Sequence, residues 1–317
     1  MRKILSLILA IVFVATALLS CTETGIKSPK DKPLVVATNF VLYDTARTLA
    51  GELADVRMLL PPGTDAHEYE LTLADTALAA DADLFLYIGG ESEDWVDDLF
   101  ASMREEDRPL ACRMMDDAVI QSEEVREGMQ EAEGGIHDED EEEYDEHVWT
   151  SFENLYGIAE QICAGLQALM PDRTDTLNER LIDYKAMIGE IEDDYRAAVD
   201  GARRRTLVFA DRFPFLYLVK ELGLDYYAAF SGCSSNVEAS LATIHFLVTK
   251  VQDEGIPAVF IIEFSDGKCA EAVARETGCE ILTLYSGHSV TPEEFASGIT
   301  YPELLRRNLE ALKKALG

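Results

Sequence analysis

The chain has 317 residues, 60 of them Asp or Glu against 27 Lys or Arg, which sets a formal net charge of −33. With 48% hydrophobic and 27% charged residues, it has the composition of a folded protein with a sizeable core, one large or two medium domains long. That composition excludes collagen, coiled coil and wholesale disorder. The acidity excludes a nucleic-acid partner, because phosphate binding needs clustered Lys and Arg to displace counterions.

Met1-Arg2-Lys3 is a short basic start, and residues 4–19 form an apolar run broken only by Ser6 and Thr16. The run ends at Leu18-Leu19-Ser20-Cys21. This is the layout of a secretory signal peptide over residues 1–20. A signal anchor is the lesser alternative, since the run is short for a spanning helix of about 20 residues. The Leu-Leu-Ser-Cys ending resembles the lipobox of bacterial lipoproteins, which implies that Cys21 carries the lipid. Residues 21–32 are then a polar tether with too little apolar content to pack, and the mature chain sits outside the cytoplasmic membrane. Cys112, Cys163, Cys233, Cys269 and Cys279 remain. An odd number leaves at least one unpaired, and no C-x-x-C spacing suggests a zinc knuckle or redox pair.

The mature chain alternates short apolar runs with helical patterns. Residues 34–38 suit a buried strand, and Leu42, Ala46, Leu49 and Ala50 continue as a helix ending near Gly51. Residues 56–60 give a second strand, stopped by Pro61-Pro62-Gly63. Residues 73–80 are helical, and residues 84–88 are a strand closed by Gly89-Gly90. From about 123 to 146 carboxylates dominate, which predicts a solvated, mobile acidic loop. Residues 152–170 recover helical periodicity. Residues 174–203 follow with Gly189 and Gly201 as the only Gly or Pro, long enough as a helix to span about 45 Å. The second half repeats the rhythm, with strands at 206–210, 226–230, 258–262 and 280–284. Helices are predicted at 215–222, 237–254, 268–277 and 301–316. The prediction is an α/β protein of two lobes, each a mainly parallel sheet flanked by helices. The N-terminal lobe covers 33–170, a connecting helix 171–204 and the C-terminal lobe 205–317. A ligand in the cleft between them would sit at the carboxyl ends of the strands.

Five histidines allow each to be weighed. His67 follows the Pro61-Pro62-Gly63 turn among Asp65, Glu68 and Glu70, His147 sits where the acidic loop meets folded structure, and His288 follows the last strand. His245 falls within a helix as a packed or half-exposed residue, and His137 belongs to the acidic loop. Three histidines at loop positions of an α/β protein are where functional groups concentrate, but their separation makes a shared metal only one of the open readings. No H-E-x-x-H, Walker loop, G-x-S-x-G or G-x-G-x-x-G is present.

Residues 59–70, Leu-Leu-Pro-Pro-Gly-Thr-Asp-Ala-His-Glu-Tyr-Glu, resemble the first metal-ligand motif of the zinc- and manganese-binding lipoproteins of ABC importers. Asp145-Glu146-His147-Val148-Trp149 is similar to their second motif, D-x-H-x-W, and the family's histidine- and acid-rich loop precedes it as the acidic run does here. Gly298-Ile299-Thr300-Tyr301, with Leu304, Leu305 and Asn308, resembles the family's ending. The resemblance covers about residues 34–316. It implies a metal held by His67, His147 and His288, with a third-position ligand expected near residues 209–215. No histidine stands there. Asp211 is the nearest candidate, with the alternatives that Arg212 takes the family position and that Asp211 caps a helix. Glu238 and Glu263 match acidic family positions without being assigned to the metal.

Three imidazoles and one carboxylate suit tetrahedral zinc better than magnesium or calcium. Manganese is the alternative, although the family's manganese binders generally carry two carboxylates. Four protein ligands leave no position for substrate, so binding is favoured over catalysis. The expectation is a monomeric, lipid-anchored solute-binding protein, not an enzyme, delivering zinc to an ABC permease. The rival readings are a metal-dependent enzyme of chelatase or hydrolase type, and a zinc-containing surface adhesin. The acidic loop is either solvated filler or a weak collector of cations near His147.

Overall fold

The computed structural model describes residues 32–65, 69–130, 143–234 and 238–317. The apolar leader, Cys21, His67 and His137 lie outside the described residues. Pro33–Gly317 forms one compact unit.

Strand β1 (Leu34–Ala37) is buried along its whole length and leads into α1 (Phe40–Ala50), capped by the Asn39 side chain accepting from the Leu42 amide. Strand β2 (Asp55–Met58) pairs with β1, and Leu59 and Leu60 extend the pairing by bonding to the carbonyls of Ala37 and Thr38. Helix α2 (Leu73–Asp81) starts with a Thr72/Asp75 capping box, in which each side chain satisfies the other residue's amide. Strand β3 (Leu84–Tyr87), α3 (Trp95–Ser102) and β4 (Leu110–Arg113) complete a four-stranded parallel sheet in the order β2-β1-β3-β4. The sequence predicts neither α3 nor β4. The β4 strand lies at the sheet edge, mostly exposed, and so lacks the apolar run that marks its neighbours.

Helix α4 (Phe152–Leu169) precedes α5 (Thr174–Asp200), whose 27 residues span about 40 Å. Leu177, Tyr184, Ile188, Ile191, Tyr195 and Val199 form its buried stripe at helical spacing. Tyr184 Oη meets Thr45 Oγ1 of α1 at 3.1 Å. The second lobe runs β5 (Thr206–Phe209), α6 (Leu216–Leu222), β6 (Asp225–Ala228), α7 (Leu241–Glu254), β7 (Ala258–Ile262), α8 (Lys268–Thr277) and β8 (Glu280–Leu284). Its parallel sheet has the order β6-β5-β7-β8, the same topology as the first. The short α9 (Pro292–Ser297) and α10 (Tyr301–Leu316) close the chain. Tyr195 Oη of α5 donates to the Leu305 carbonyl of α10 at 2.7 Å, so the long helix is tied to both lobes.

Period-2 alternation along the strands divides the cores. Val35 and Ala37 of β1, with Leu207 and Phe209 of β5, enter one large core that also takes in α1, α4, α5 and α10. Leu34 and Val36 face a smaller outer core of the first lobe, and Val208 an outer core of the second. Because the large core is continuous through both lobes, wide hinge opening would expose apolar surface. Among the described residues no helix is long and apolar enough to cross a membrane. The five described cysteines form no disulfide.

Candidate metal-binding site

Segments leaving the carboxyl ends of the strands in both lobes converge on one place. From the first lobe come Thr64 and Asp65 after β2. From the second come Arg212 after β5, Glu263 and Phe264 after β7, and Ser286, His288 and Ser289 after β8; together with His147 they line a cavity of about 20 Å³. That volume is close to what a single small ion or water needs.

Glu146, His147 and His288 each offer a ligating atom, the three lying within 4.8 Å of one another; His147 and His288 line the small cavity and Glu146 stands beside them. The His147 and His288 rings are 5.0 Å apart between centroids. Asp145 fixes the first of them: its Oδ1 accepts from the His147 backbone amide at 2.7 Å and meets Nδ1 at 2.9 Å. A carboxylate on Nδ1 places the proton there and presents Nε2 as the ligating atom. Burial pushes the His147 pKa down, but Asp145, with Glu146 and Glu123 behind it, outweighs this and raises it above the ordinary 6.5. Two close approaches depend on glycine. A side chain at Gly90 would collide with the Glu146 carboxylate at 2.2 Å, and one at Gly232 would press on the His147 ring at 3.2 Å.

His288 is held from two sides. The indole of Trp149 packs on it at 4.4 Å, while its Nε1 donates to the Ser286 carbonyl at 2.8 Å. The Glu263 carboxylate accepts from the Ser286 amide and hydroxyl and from the Gly287 amide, at 2.6–2.9 Å. Burial raises the Glu263 pKa, with those donors working against the rise. The next residue, Phe264, has φ 62 and is the only non-glycine with positive φ among the described residues. This costly conformation sits where the chain turns from Glu263 toward the larger neighbouring cavity, about 660 Å³, that Phe264 also lines.

The structure therefore brings together two of the sequence-derived candidates, His147 and His288, and separates a third. Asp211 is not in the cluster. Its Oδ1 accepts from the Arg212 amide at 2.8 Å and its Oδ2 from the Ile262 amide at 3.3 Å, anchoring the end of β5 to β7, and it lines only the larger cavity. Burial raises its pKa, partly offset by Ser265 and these amides. Arg212 lines the small cavity instead, with its guanidinium on Asp65 Oδ2 at 2.5 Å. Sequence reasoning did not single out Glu146, whose carboxylate joins the cluster; the signal was its place inside the D-x-H-x-W motif, masked by the acidic run around it. His67 lies outside the described residues; Asp65, two residues earlier in the chain, lines the small cavity. His245 is exposed on α7.

A family model described as ZnuA, zinc-uptake complex component A periplasmic, matches residues 35–315. The zinc-binding lipoprotein AdcA of Streptococcus pneumoniae is 29% identical over 318 residues, covering 99% of this chain and 61% of that protein. The high-affinity zinc uptake system protein ZnuA of Bacillus subtilis is 27% identical over 309 residues, covering 94% of this chain and 92% of that protein. The chain thus spans about six-tenths of the length of the streptococcal relatives. In structure it is similar to the Zn(II)-bound ZnuA-like domain of S. pneumoniae AdcA, with TM-score 0.73 and 26% identity over 90% of this chain and 99% of that one. It is also similar to the metal-dependent lipoprotein YcdH of B. subtilis, with TM-score 0.75 and 25% identity over 90% and 100%. A match running from β1 into α10 means that the chain belongs to the ZnuA family.

Proposed function

We propose that this chain is an extracytoplasmic solute-binding protein that captures zinc between its lobes and passes it to the permease of an ABC importer. The observation that carries the reading is the Glu146–His147–His288 cluster, whose ligating atoms lie within 4.8 Å of one another across the cleft. Imidazole nitrogen and a carboxylate oxygen are zinc donors. His67, from the first-lobe motif, is the fourth ligand in this reading, giving three imidazoles and one carboxylate. A filled donor set favours storage and hand-over above catalysis, which needs an open position. The relatives bearing zinc-binding and zinc-uptake names support zinc as the cargo, and a single carboxylate disfavours manganese. The apolar leader and the Leu-Leu-Ser-Cys ending support export and lipid attachment at Cys21, with the chain acting as a monomer.

The reading is tested on the metal-free chain from residue 22 onward by elemental analysis after incubation with zinc, followed by competition titration. One tightly held zinc per chain is expected; no stoichiometric zinc would overturn the reading. Asp211→Asn is expected to leave that stoichiometry at its wild-type value, because the Asp211 carboxylate bonds to backbone and not to the cluster. Loss of zinc in this variant would return Asp211 to the ligand set.

Affinity should also depend on pH in a defined direction. Zinc needs a neutral imidazole, so binding displaces a proton wherever His147 is protonated. Its raised pKa means this competition sets in above 6.5. Affinity should therefore fall by up to about tenfold per pH unit for the proton displaced as pH is lowered through that range. Without the ion the sign reverses. The His147–Asp145 pair stabilises the fold below 6.5 and loses that contribution as pH rises through the raised value. Titrations at pH 8, 7 and 6 that gave one affinity would contradict the first of these statements.

A further inference from the structure

The residue after Asp211 raises a question the ligand set does not answer. Arg212 lines the same cavity of about 20 Å³ as His147 and His288, yet as a permanent cation it cannot ligate a metal. Its guanidinium is mostly buried, with 13% of the side chain exposed, and its partner Asp65 is 19% exposed. The pair crosses from the second lobe to the turn after β2, and the amide of Gly63 in that turn donates to the Val290 carbonyl at 2.8 Å. Asp65 itself lines the metal cavity. A carboxylate on the wall of a cation site is a ligand in waiting unless other groups hold it, as the Ser286 and Gly287 donors hold Glu263 and Arg212 holds Asp65.

We propose that Arg212 is a specificity-determining residue: by engaging Asp65 it withholds a second carboxylate from the metal and so sets the site's preference for zinc over manganese. The inference rests on the metal-binding reading above. With Asp65 engaged, Glu146 is the one carboxylate in the described cluster and the imidazoles dominate. That donor balance suits zinc, whereas manganese gains from added carboxylate oxygen. Arg212 also opposes any dication electrostatically, but that effect falls equally on both metals and cancels in the ratio of their affinities. The ratio is therefore the quantity that separates a donor effect from a charge effect.

The experiment compares wild type, Arg212→Gln, Asp65→Asn and the double variant Asp65→Asn/Arg212→Gln. Zinc affinity is measured by chelator competition, and manganese binding by loss of the free-ion signal in electron paramagnetic resonance. Thermal melting of the metal-free proteins reports folding. In Arg212→Gln the manganese-to-zinc affinity ratio should rise by about tenfold or more, the scale on which residues around a ligand shell act. The double variant should return to the wild-type ratio, because the released carboxylate is gone. An unchanged ratio in Arg212→Gln overturns the proposal. So does a raised ratio that persists in the double variant, since Arg212 would then act without Asp65. Should Arg212→Gln fail to fold, Asp65→Arg/Arg212→Asp replaces it: the reversed pair again withholds the carboxylate, and only a wild-type ratio supports the proposal. If wild-type protein takes up no zinc, the transport reading fails on its own, and the inference is decided by manganese alone: Arg212→Gln must gain binding that the double variant lacks.

Discussion

His147→Ala and His288→Ala are each expected to abolish stoichiometric zinc binding, lowering affinity by well over the roughly 10–100-fold that loss of an outer-shell partner costs. The two variants test different halves of the molecule. His147 is buried at the base of the acidic segment in the first lobe, held by Asp145, whereas His288 arrives on the loop after β8 in the second. Loss in both would mean that one ion is gripped by both lobes. Retention of full affinity in His288→Ala would leave the ion on first-lobe residues alone and open a coordination position, which is the geometry of a metal enzyme rather than a carrier. Glu146→Gln separates charge from shape in the same assay. It keeps the side chain's volume beside Gly90 but removes the anionic oxygen, so a substantial drop in affinity identifies Glu146 as a ligand. An unchanged affinity would assign it to packing. Unfolding curves of the metal-free variants guard against reading a folding defect as a ligand loss.

How much of this was legible beforehand depended on burial. Strands β1 and β3 are buried on both faces, so each reads as a continuous apolar run in the sequence. Strand β4 lies at an edge with three of its four residues exposed, and its Leu-Ala-Cys-Arg carries no comparable signal. The long helix was evident from thirty residues nearly free of Gly and Pro, and the structure trims it to Thr174–Asp200. His147 and His288 were singled out by their loop positions and by the family motifs. The choice between Asp211 and Arg212 was not recoverable from spacing. Consecutive residues leaving a strand turn to opposite sides, and the ladder decides which: Asp211 is drawn back to the Ile262 amide of β7, leaving Arg212 for the small cavity. Glu146 was hidden for a different reason. Its neighbours form a carboxylate run in which one more glutamate has no distinguishing mark, and only the fold, which brings its carboxylate within 4.8 Å of the ligating atoms of His147 and His288, sets it apart.

Trp149→Ala should be among the most destabilising single substitutions, by about 3–5 kcal/mol, the range for removing a fully buried large aromatic side chain. Trp149 is 1% exposed and belongs to the core shared by both lobes. It does more than fill space. Its ring lies against His147 at 5.4 Å and His288 at 4.4 Å, and its indole N–H holds the Ser286 carbonyl two residues before His288. Tyr301 at the start of α10 donates its hydroxyl to the Trp149 carbonyl at 3.4 Å, which ties the second-lobe end of the chain to the same point. Trp149→Phe separates packing from positioning. It keeps most of the buried ring but loses the indole donor, so it should cost about 1–3 kcal/mol from the unsatisfied carbonyl while still folding. Zinc affinity should nevertheless fall by about tenfold or more, because the loop carrying His288 loses its anchor. Urea unfolding of the metal-free proteins and zinc competition titration of both variants give the two numbers. A Phe variant with full zinc affinity would show that Glu263 alone suffices to hold the His288 loop, through its contacts to Ser286 and Gly287. A Trp149→Ala variant destabilised by less than about 1 kcal/mol would be incompatible with a fully packed indole at this position. Stability and metal affinity are thus expected to meet in one side chain, because the residue that joins the two lobes also supports His288, the ligand proposed for the second lobe.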